Sequence, residues 1–255
     1  MTTDSDSTWQ YLQALGVRRP LVHAISGAVT APFITDVLGA LGARAAVTHD
    51  PAESGTLAMQ ADALLVNLGQ PDPLRLAGGR EAARAAHIAG TPWVLDPVLV
   101  HASARRREQV RKLLSLKPAV LKPNRAELVA LSAPAAQATG QQRITDAHAA
   151  TDALATSLGL VVLASGEQDI ISDGARREVV AGGHAFMDAL SGFGCALGAA
   201  TAALLTVAKP FEAALTAARA FAEAGHRAAS TMQGPGSFRI AFLDALWQLG
   251  EEGGA

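Results

Sequence analysis

Short apolar, β-branched runs alternate with longer alanine-rich segments of helical spacing over the first two thirds of this chain. The runs fall at 21–25, 44–48, 63–68, 92–95, 119–121 and 160–164. Apolar runs of that length, bounded by turn residues, read as buried strands, and the segments between them read as amphipathic helices. Strands that alternate with helices build a mainly parallel sheet with helices on both faces. Right-handed crossovers then bring the C-terminal ends of the strands to one edge, where ligands collect in sheets of this kind. Two further short runs, 169–172 and 177–180, flank Asp173-Gly174, which predicts a hairpin. From there the pattern is helical over 195–208, 211–229 and 238–250. The stretch 132–145, rich in Ala, Gln, Pro and Gly, reads as a surface connection. The expected organisation is a polar tail over 1–8 and a single domain over 9–255.

Composition narrows the function classes. The chain has 255 residues, 49% hydrophobic and 17% charged, enough to bury the core of one large α/β domain. The formal charge is −2, and the one basic run, Arg105-Arg106-Arg107, predicts a solvated helix face rather than a nucleic-acid footprint. No run is apolar for long enough to cross a bilayer, and residues 1–7 do not resemble a secretory signal, so a cytoplasmic protein is expected. Cys195 stands alone and the seven histidines lack zinc spacing.

The most chemically suggestive segment is Ser191-Gly192-Phe193-Gly194-Cys195. Two glycines admit close backbone approach, and a helix start behind them offers free N–H groups to an anion. The same segment also suits plain packing or capping. At such a helix start, the field would favour the Cys195 thiolate. Asp96 and Pro97 close a predicted strand, so Asp96 reads either as a carboxylate beside Mg²⁺ or as a turn cap. Asn124 followed by Glu127 forms a capping box, and a role for Glu127 at the site depends on Asp96 lying nearby. Lys122 offers charge to phosphates or is merely solvated, and Ser165 offers a hydroxyl or forms an ordinary turn. His23 is expected in a core hydrogen bond and His184 as an orienting residue. Pro32 suits the first turn of a helix.

Taken in order, these motifs resemble the hydroxyethylthiazole kinases. The likeness rests on Val22-His23 with Ile25, the Leu38–Gly42 run, Leu95-Asp96-Pro97-Val98, Asn124 with Glu127, and Gly166-Glu167 with Asp169. It continues through Asp173-Gly174, Gly183-His184, Gly192-x-Gly194-Cys195-Ala196-Leu197 and Gly234-Pro235-Gly236-Ser237-Phe238. The resemblance implies a ribokinase-like three-layer α/β fold and phosphorylation of the primary alcohol of 4-methyl-5-(2-hydroxyethyl)thiazole by ATP and Mg²⁺ in thiamine salvage. It further implies a trimer with active sites between subunits. Carried over, Asp96 and Glu127 belong to the magnesium network, and Lys122 stands for an ATP-contacting arginine. Ser165 replaces a nucleotide-contacting threonine, Gly192 lines the substrate site, Gly192, Phe193 and Gly194 form the anion hole, and Cys195 is the catalytic residue.

The departures cluster where the resemblance places the substrate wall. Gly27 stands for an asparagine and Ala31 for a methionine, and loss of a methionine removes apolar contact worth about 1 to 3 kcal/mol. A different small heteroaromatic alcohol therefore also fits as the acceptor. The same fold could further serve an ATP-dependent hydro-lyase of hydrated nicotinamide cofactors or a non-catalytic ligand-binding protein. Cys195 argues against the hydro-lyase, which usually carries an aspartate there.

Overall fold

The computed structural model describes residues 4–132 and 146–252. Eight strands form one sheet: β1 (Leu21–Ile25), β2 (Arg44–Ala46), β3 (Ala63–Asn67), β4 (Trp93–Asp96), β5 (Val120–Leu121), β6 (Val161–Ala164), β7 (Gln168–Ser172) and β8 (Arg177–Ala181). Their spatial order is β2-β1-β3-β4-β5-β6-β7-β8. The first six are parallel, and β7 and β8 pair antiparallel as the predicted hairpin.

The helices are α1 (Asp4–Arg18), α2 (Ala31–Ala40), α3 (Pro51–Gln60), α4 (Pro73–Ala89), α5 (Ala104–Leu114), α6 (Arg125–Ser132), α7 (Ala147–Leu158), α8 (Phe186–Ala189), α9 (Phe193–Leu204), α10 (Pro210–Thr231) and α11 (Pro235–Glu252). Side-chain alternation along the strands splits the core in two. Leu65, Val94, Val120 and Leu163 point to one face, where they meet Phe33, Phe193, Ala199, Ala217 and Phe242 from α2, α9, α10 and α11. Leu64, Val66, Leu95, Leu121 and Val162 point to the other, against Ala82, Val110, Leu128 and Leu154 from α4, α5, α6 and α7. The three-layer architecture follows from that two-sided burial. Alanine-rich α9 is buried along most of its length, so it lies close against the sheet.

Three expectations change. The stretch 1–8 is not simply a tail: α1 begins at Asp4, and Thr8 is buried, its Oγ1 accepting from Arg219 at 3.2 Å. The segment 132–145 lies, apart from Ser132 at the end of α6, outside the described residues. The arginine run starts α5 as expected, yet Arg106 does not point to solvent. Its guanidinium donates to the carbonyls of Leu68 at 2.9 Å and Val98 at 2.7 Å, tying the loops after β3 and β4 together. Carbonyls turned inward at strand ends need donors, and a long cationic side chain supplies them. Among the described residues no helix is long and apolar enough to cross a membrane.

Candidate active site

Residues at the ends of four neighbouring strands converge at the C-terminal edge of the sheet. Asn67 and Asp96 end β3 and β4 in register. Lys122 follows β5 and Ser165 follows β6, where a parallel bridge between Asn124 and Ser165 prolongs the pairing. The side chains of Asp96 and Lys122 are only 2% and 3% exposed, with Nζ 3.7 Å from Asp96 Oδ2. Asn67 donates Nδ2–H to the same Oδ2 at 2.8 Å, and Lys122 donates to Ser165 Oγ at 3.4 Å. Gly198 of α9 packs directly over this pair: a Cβ there would lie 3.3 Å from Leu65 Cδ1 and in ordinary contact with Lys122 Cδ and Asp96 Oδ2, at 3.5 and 3.6 Å.

Burial raises the Asp96 carboxyl to about 7, against the opposing pull of Lys122. Burial also disfavours the Lys122 ammonium, but the charges of Asp96 and Glu127 outweigh it and hold its pKa above the ordinary lysine value. A lysine so placed is not the solvated side chain that the sequence left open. Asp169 faces the same ammonium, accepts the Gly166 N–H at 3.0 Å, and is pushed by burial to about 6.

Glu127 is buried and does two structural jobs. Its Oε2 accepts the Asn124 N–H at 2.8 Å while Asn124 Oδ1 accepts the Glu127 N–H at 2.9 Å, the capping box expected for α6. Its Oε1 accepts the Leu99 N–H at 2.8 Å, fixing the loop after β4. Both carboxylate oxygens are thus engaged by the backbone. Asp96 has Oδ2 engaged, while Oδ1 accepts no hydrogen bond from the described residues. Such a donor set fits Mg²⁺, an ion that keeps several waters and relies on substrate phosphates, rather than a metal held wholly by protein. Among the described residues no group of three His, Cys, Asp or Glu side chains gathers to hold a metal.

The glycine turn lies opposite this polar cluster. Gly192 has φ 109° and its flank abuts the Phe33 ring, so a side chain there would meet both a strained backbone and an aromatic wall. The first bond of α9 runs from Ala196 N–H to Gly192 O at 2.8 Å. Helix geometry therefore leaves the N–H groups of Phe193, Gly194 and Cys195 without intrahelical acceptors. Lys122 Nζ approaches the position of a Gly194 Cβ to 3.8 Å, which sets a cation beside those donors. The Phe193 side chain turns the other way, stacking 4.7 Å from Phe33 and 4.8 Å from Phe242, and so anchors the turn to the core. Arg239 braces it from outside through a 2.6 Å bond to Ser191 O and a cation–π contact with Phe33.

Cys195 opens α9 as expected, but its surroundings do not favour a thiolate. Burial, with the Asp96 charge second, pushes the thiol up to about 11, outweighing Lys122. The helix-start field is the weaker effect because desolvation penalises the charged sulfur. Cys195 is therefore a neutral thiol, with Thr30 and Asn67 beside it. Iodoacetamide is expected to alkylate it at pH 7.5 at least about 10²-fold more slowly than a free cysteine, because the rate follows the thiolate fraction. A rate within tenfold of free cysteine would contradict this environment.

Of the remaining sequence candidates, Gly27 lies on the segment joining β1 to α2 and Ala31 opens α2, with Gly27 O accepting the N–H groups of Thr30 and Ala31. Pro32 occupies the first turn of α2 as expected. His23 is buried and bonds Thr48 O at 3.1 Å through Nε2; burial lowers its pKa, which suits the expected core role. His184 Nδ1 accepts the Phe186 N–H at 3.2 Å and the ring packs on Phe186 and Phe238. Sequence reasoning passed over Asn67, Thr30 and Gln70, read Arg106 as solvated, and used Asp169 only as part of a motif. Asn67 was detectable as the one polar residue near the end of the predicted run 63–68, close to the edge where Asp96 follows its own run. A separate hollow of about 450 Å³, lined by Trp9, Gly182, Arg219 and His226, shares no residue with the strand-end cluster.

A structure of Bacillus subtilis pyridoxal kinase, determined as an ADP complex, shares the fold at 18% identity with a TM-score of 0.60, covering 82% of this chain and 92% of that one. The fold is ribokinase-like, and the family match and relatives that follow define the class as kinases, phosphotransferases that act on an alcohol. Within it, the family model for the hydroxyethylthiazole kinase family matches residues 12–252, and the chain belongs to that family. Hydroxyethylthiazole kinase of Cereibacter sphaeroides is 41% identical over 250 residues, covering 97% of this chain and 95% of that protein. The solved hydroxyethylthiazole kinase of Pyrococcus horikoshii superposes with a TM-score of 0.88 at 31% identity, covering 94% of this chain and 92% of that one.

Proposed function

We propose that this protein transfers the γ-phosphoryl group of ATP, with Mg²⁺, to the primary alcohol of 4-methyl-5-(2-hydroxyethyl)thiazole, a cytoplasmic step of thiamine salvage. The observation that carries the reading is the approach of the Lys122 ammonium to the open N–H groups at the start of α9, with Asp96 alongside. Phosphoryl transfer has a loose transition state with charge on its equatorial oxygens, so preorganised donors and cations supply most of the catalysis. The N–H groups of Phe193, Gly194 and Cys195 meet the moving phosphoryl group. Lys122 and Ser165 hold ATP phosphates. Asp96 and Glu127 would hold Mg²⁺, which when bound would neutralise charge on the phosphates. As the alcohol oxygen attacks phosphorus, the bond to the β-phosphate oxygen breaks and ADP leaves, while the alcohol proton passes to an oxygen of the transferred phosphoryl group and from there to solvent. Cys195, as a neutral thiol, orients the hydroxyl and does not serve as a pre-formed base. Gly27, Ala31 and Gly192 line the acceptor side.

The trimer with active sites between subunits belongs to the same proposal. Its support is the exposure of two large apolar side chains next to the site edge, Val29 after β1 and Val47 after β2. A related heteroaromatic alcohol is the second reading, favoured by the small side chains at Gly27 and Ala31.

ADP release measured with thiazole alcohol, with pyrimidine alcohols and with no alcohol tests the proposal. Alcohol-dependent release that is fastest with the thiazole is expected. Best turnover of a pyrimidine would shift the assignment to the second reading, and no alcohol-dependent release would sink the kinase reading. Glu127→Gln is expected to raise the Mg²⁺ concentration needed for half-maximal rate several-fold; an unchanged requirement would remove Glu127 from the magnesium network.

A further inference from the structure

Chain order and sheet order disagree at one place near the site. From β1 the chain steps to β2 on one side and then crosses to β3 on the other. Loops leaving β1 and β3 therefore part in opposite directions and open a crevice between them, the switch point at which open α/β sheets bind ligands. Gly27 leaves from β1 and Gln70 from β3, so the two face each other across that crevice.

Gly27 is buried and Gln70 is exposed. The Gln70 side chain lies directly against the glycine: a Cβ on Gly27 would stand 2.6 Å from Gln70 Oε1 and 3.2 Å from its Cβ and Cδ. The two positions share one volume, and this chain fills it from the β3 side. Gln70 adopts φ 47°, a left-handed conformation that residues with a Cβ rarely take. Its carbonyl is held by the Asp72 N–H at 3.0 Å and by the Arg75 guanidinium. With the backbone locked, the amide is directed over Gly27, and among the described residues it makes no hydrogen bond. Next to Gly27, Ser26 Oγ and Thr30 Oγ1 lie 2.9 Å apart, and Thr30 adjoins the Cys195 thiol.

We infer that Gln70 is a specificity-determining residue whose side-chain amide, seated over Gly27 in the volume that the glycine leaves to it, donates a hydrogen bond to a ring nitrogen of the heteroaromatic acceptor. The inference rests on the proposed kinase reading for the identity of the acceptor. An amide suits this task because it offers donors without the charge that would disfavour a neutral ring, and its rigid backbone limits the freedom lost on binding.

Calorimetry with the nucleotide-free protein separates recognition from turnover. The probes are 4-methyl-5-(2-hydroxyethyl)thiazole and its thiophene counterpart, which lacks the ring nitrogen. Wild type is expected to prefer the thiazole by about 5- to 10-fold, the worth of one hydrogen bond in a partly screened site. Gln70→Leu, which keeps the bulk and removes the amide, is expected to abolish that preference while ATP affinity stays the same. Gly27→Ala is expected to weaken thiazole binding in the wild-type background and to have less effect in Gln70→Ala, because the clash with Oε1 and Cδ is then gone and only the contact with the residue-70 Cβ remains. A preference retained by Gln70→Leu, or no preference in wild type, would overturn the inference, as would equal effects of Gly27→Ala in both backgrounds. Intact preference without alcohol-dependent ADP release would instead remove the kinase reading and leave Gln70 as the recognition residue.

Discussion

Replacing Lys122 by methionine is expected to lower kcat/KM for ATP by about 10²- to 10³-fold, the cost typical of deleting one preorganised electrostatic contact to a developing charge. The ammonium is buried between Asp96, Ser165 and the α9 start, where weak solvent screening makes its field strong. Methionine preserves the stem packing against α9 and removes only the charge. The partner carboxylate then has no cation. Its pKa, already about 7 because of burial, must rise further, since Lys122 is the largest factor lowering it. A buried carboxyl in that position becomes neutral rather than stay unpaired, which limits the loss of stability. The sign of the pH effect follows. In wild type, activity that needs the Asp96 carboxylate falls as pH drops below about 7, and in Lys122→Met that limb moves to higher pH. A kcat/KM within threefold of wild type, with the limb unmoved, would remove Lys122 from the phosphate site.

Phe193→Ala is expected to show the largest stability effect, a loss of about 3 to 5 kcal/mol from the cavity left by a fully buried ring. For a chain of this size that corresponds to a Tm lower by roughly 10 °C. The ring is 2% exposed and contacts Phe33, Phe238 and Phe242, so four aromatic rings meet there. It also sits one residue after Gly192, whose conformation aims the N–H groups of the turn. Loosening this anchor should raise KM for ATP as well as lower Tm, whereas Phe193→Leu, which refills much of the volume, should recover most of both. A Tm shift below about 3 °C would show that the turn is held by other contacts.

The order and type of the elements were legible because burial on both sheet faces imposes unbroken apolar strands, such as β3 and β6, between helices. The capping box at Asn124 and Glu127 was legible for a local reason: both of its bonds close within three residues. The strand-end positions of Asp96, Lys122 and Ser165 followed from the parallel arrangement. What escaped the sequence were properties set by neighbours far along the chain. Arg106 reads as one of three solvated arginines until the fold brings the carbonyls of Leu68 and Val98 beside it. Cys195 reads as a favoured thiolate because the helix start is local, while the burial and the Asp96 charge that oppose it come from packing.

By itself, the sequence determined the α/β class, the gathering of Asp96, Lys122 and Ser165 at the strand-end edge and the glycine turn that opens α9, because periodicity, capping and turn preferences act over a few residues. Only the tertiary structure decided protonation and occupancy: a lysine paired with a buried carboxyl, a thiol kept neutral, a phenylalanine turned away from the site and a glutamine laid over Gly27. Electrostatics and excluded volume depend on distances through space. In this fold those distances are set by which strands become neighbours and by how closely the alanine-rich helix α9 lies on the sheet.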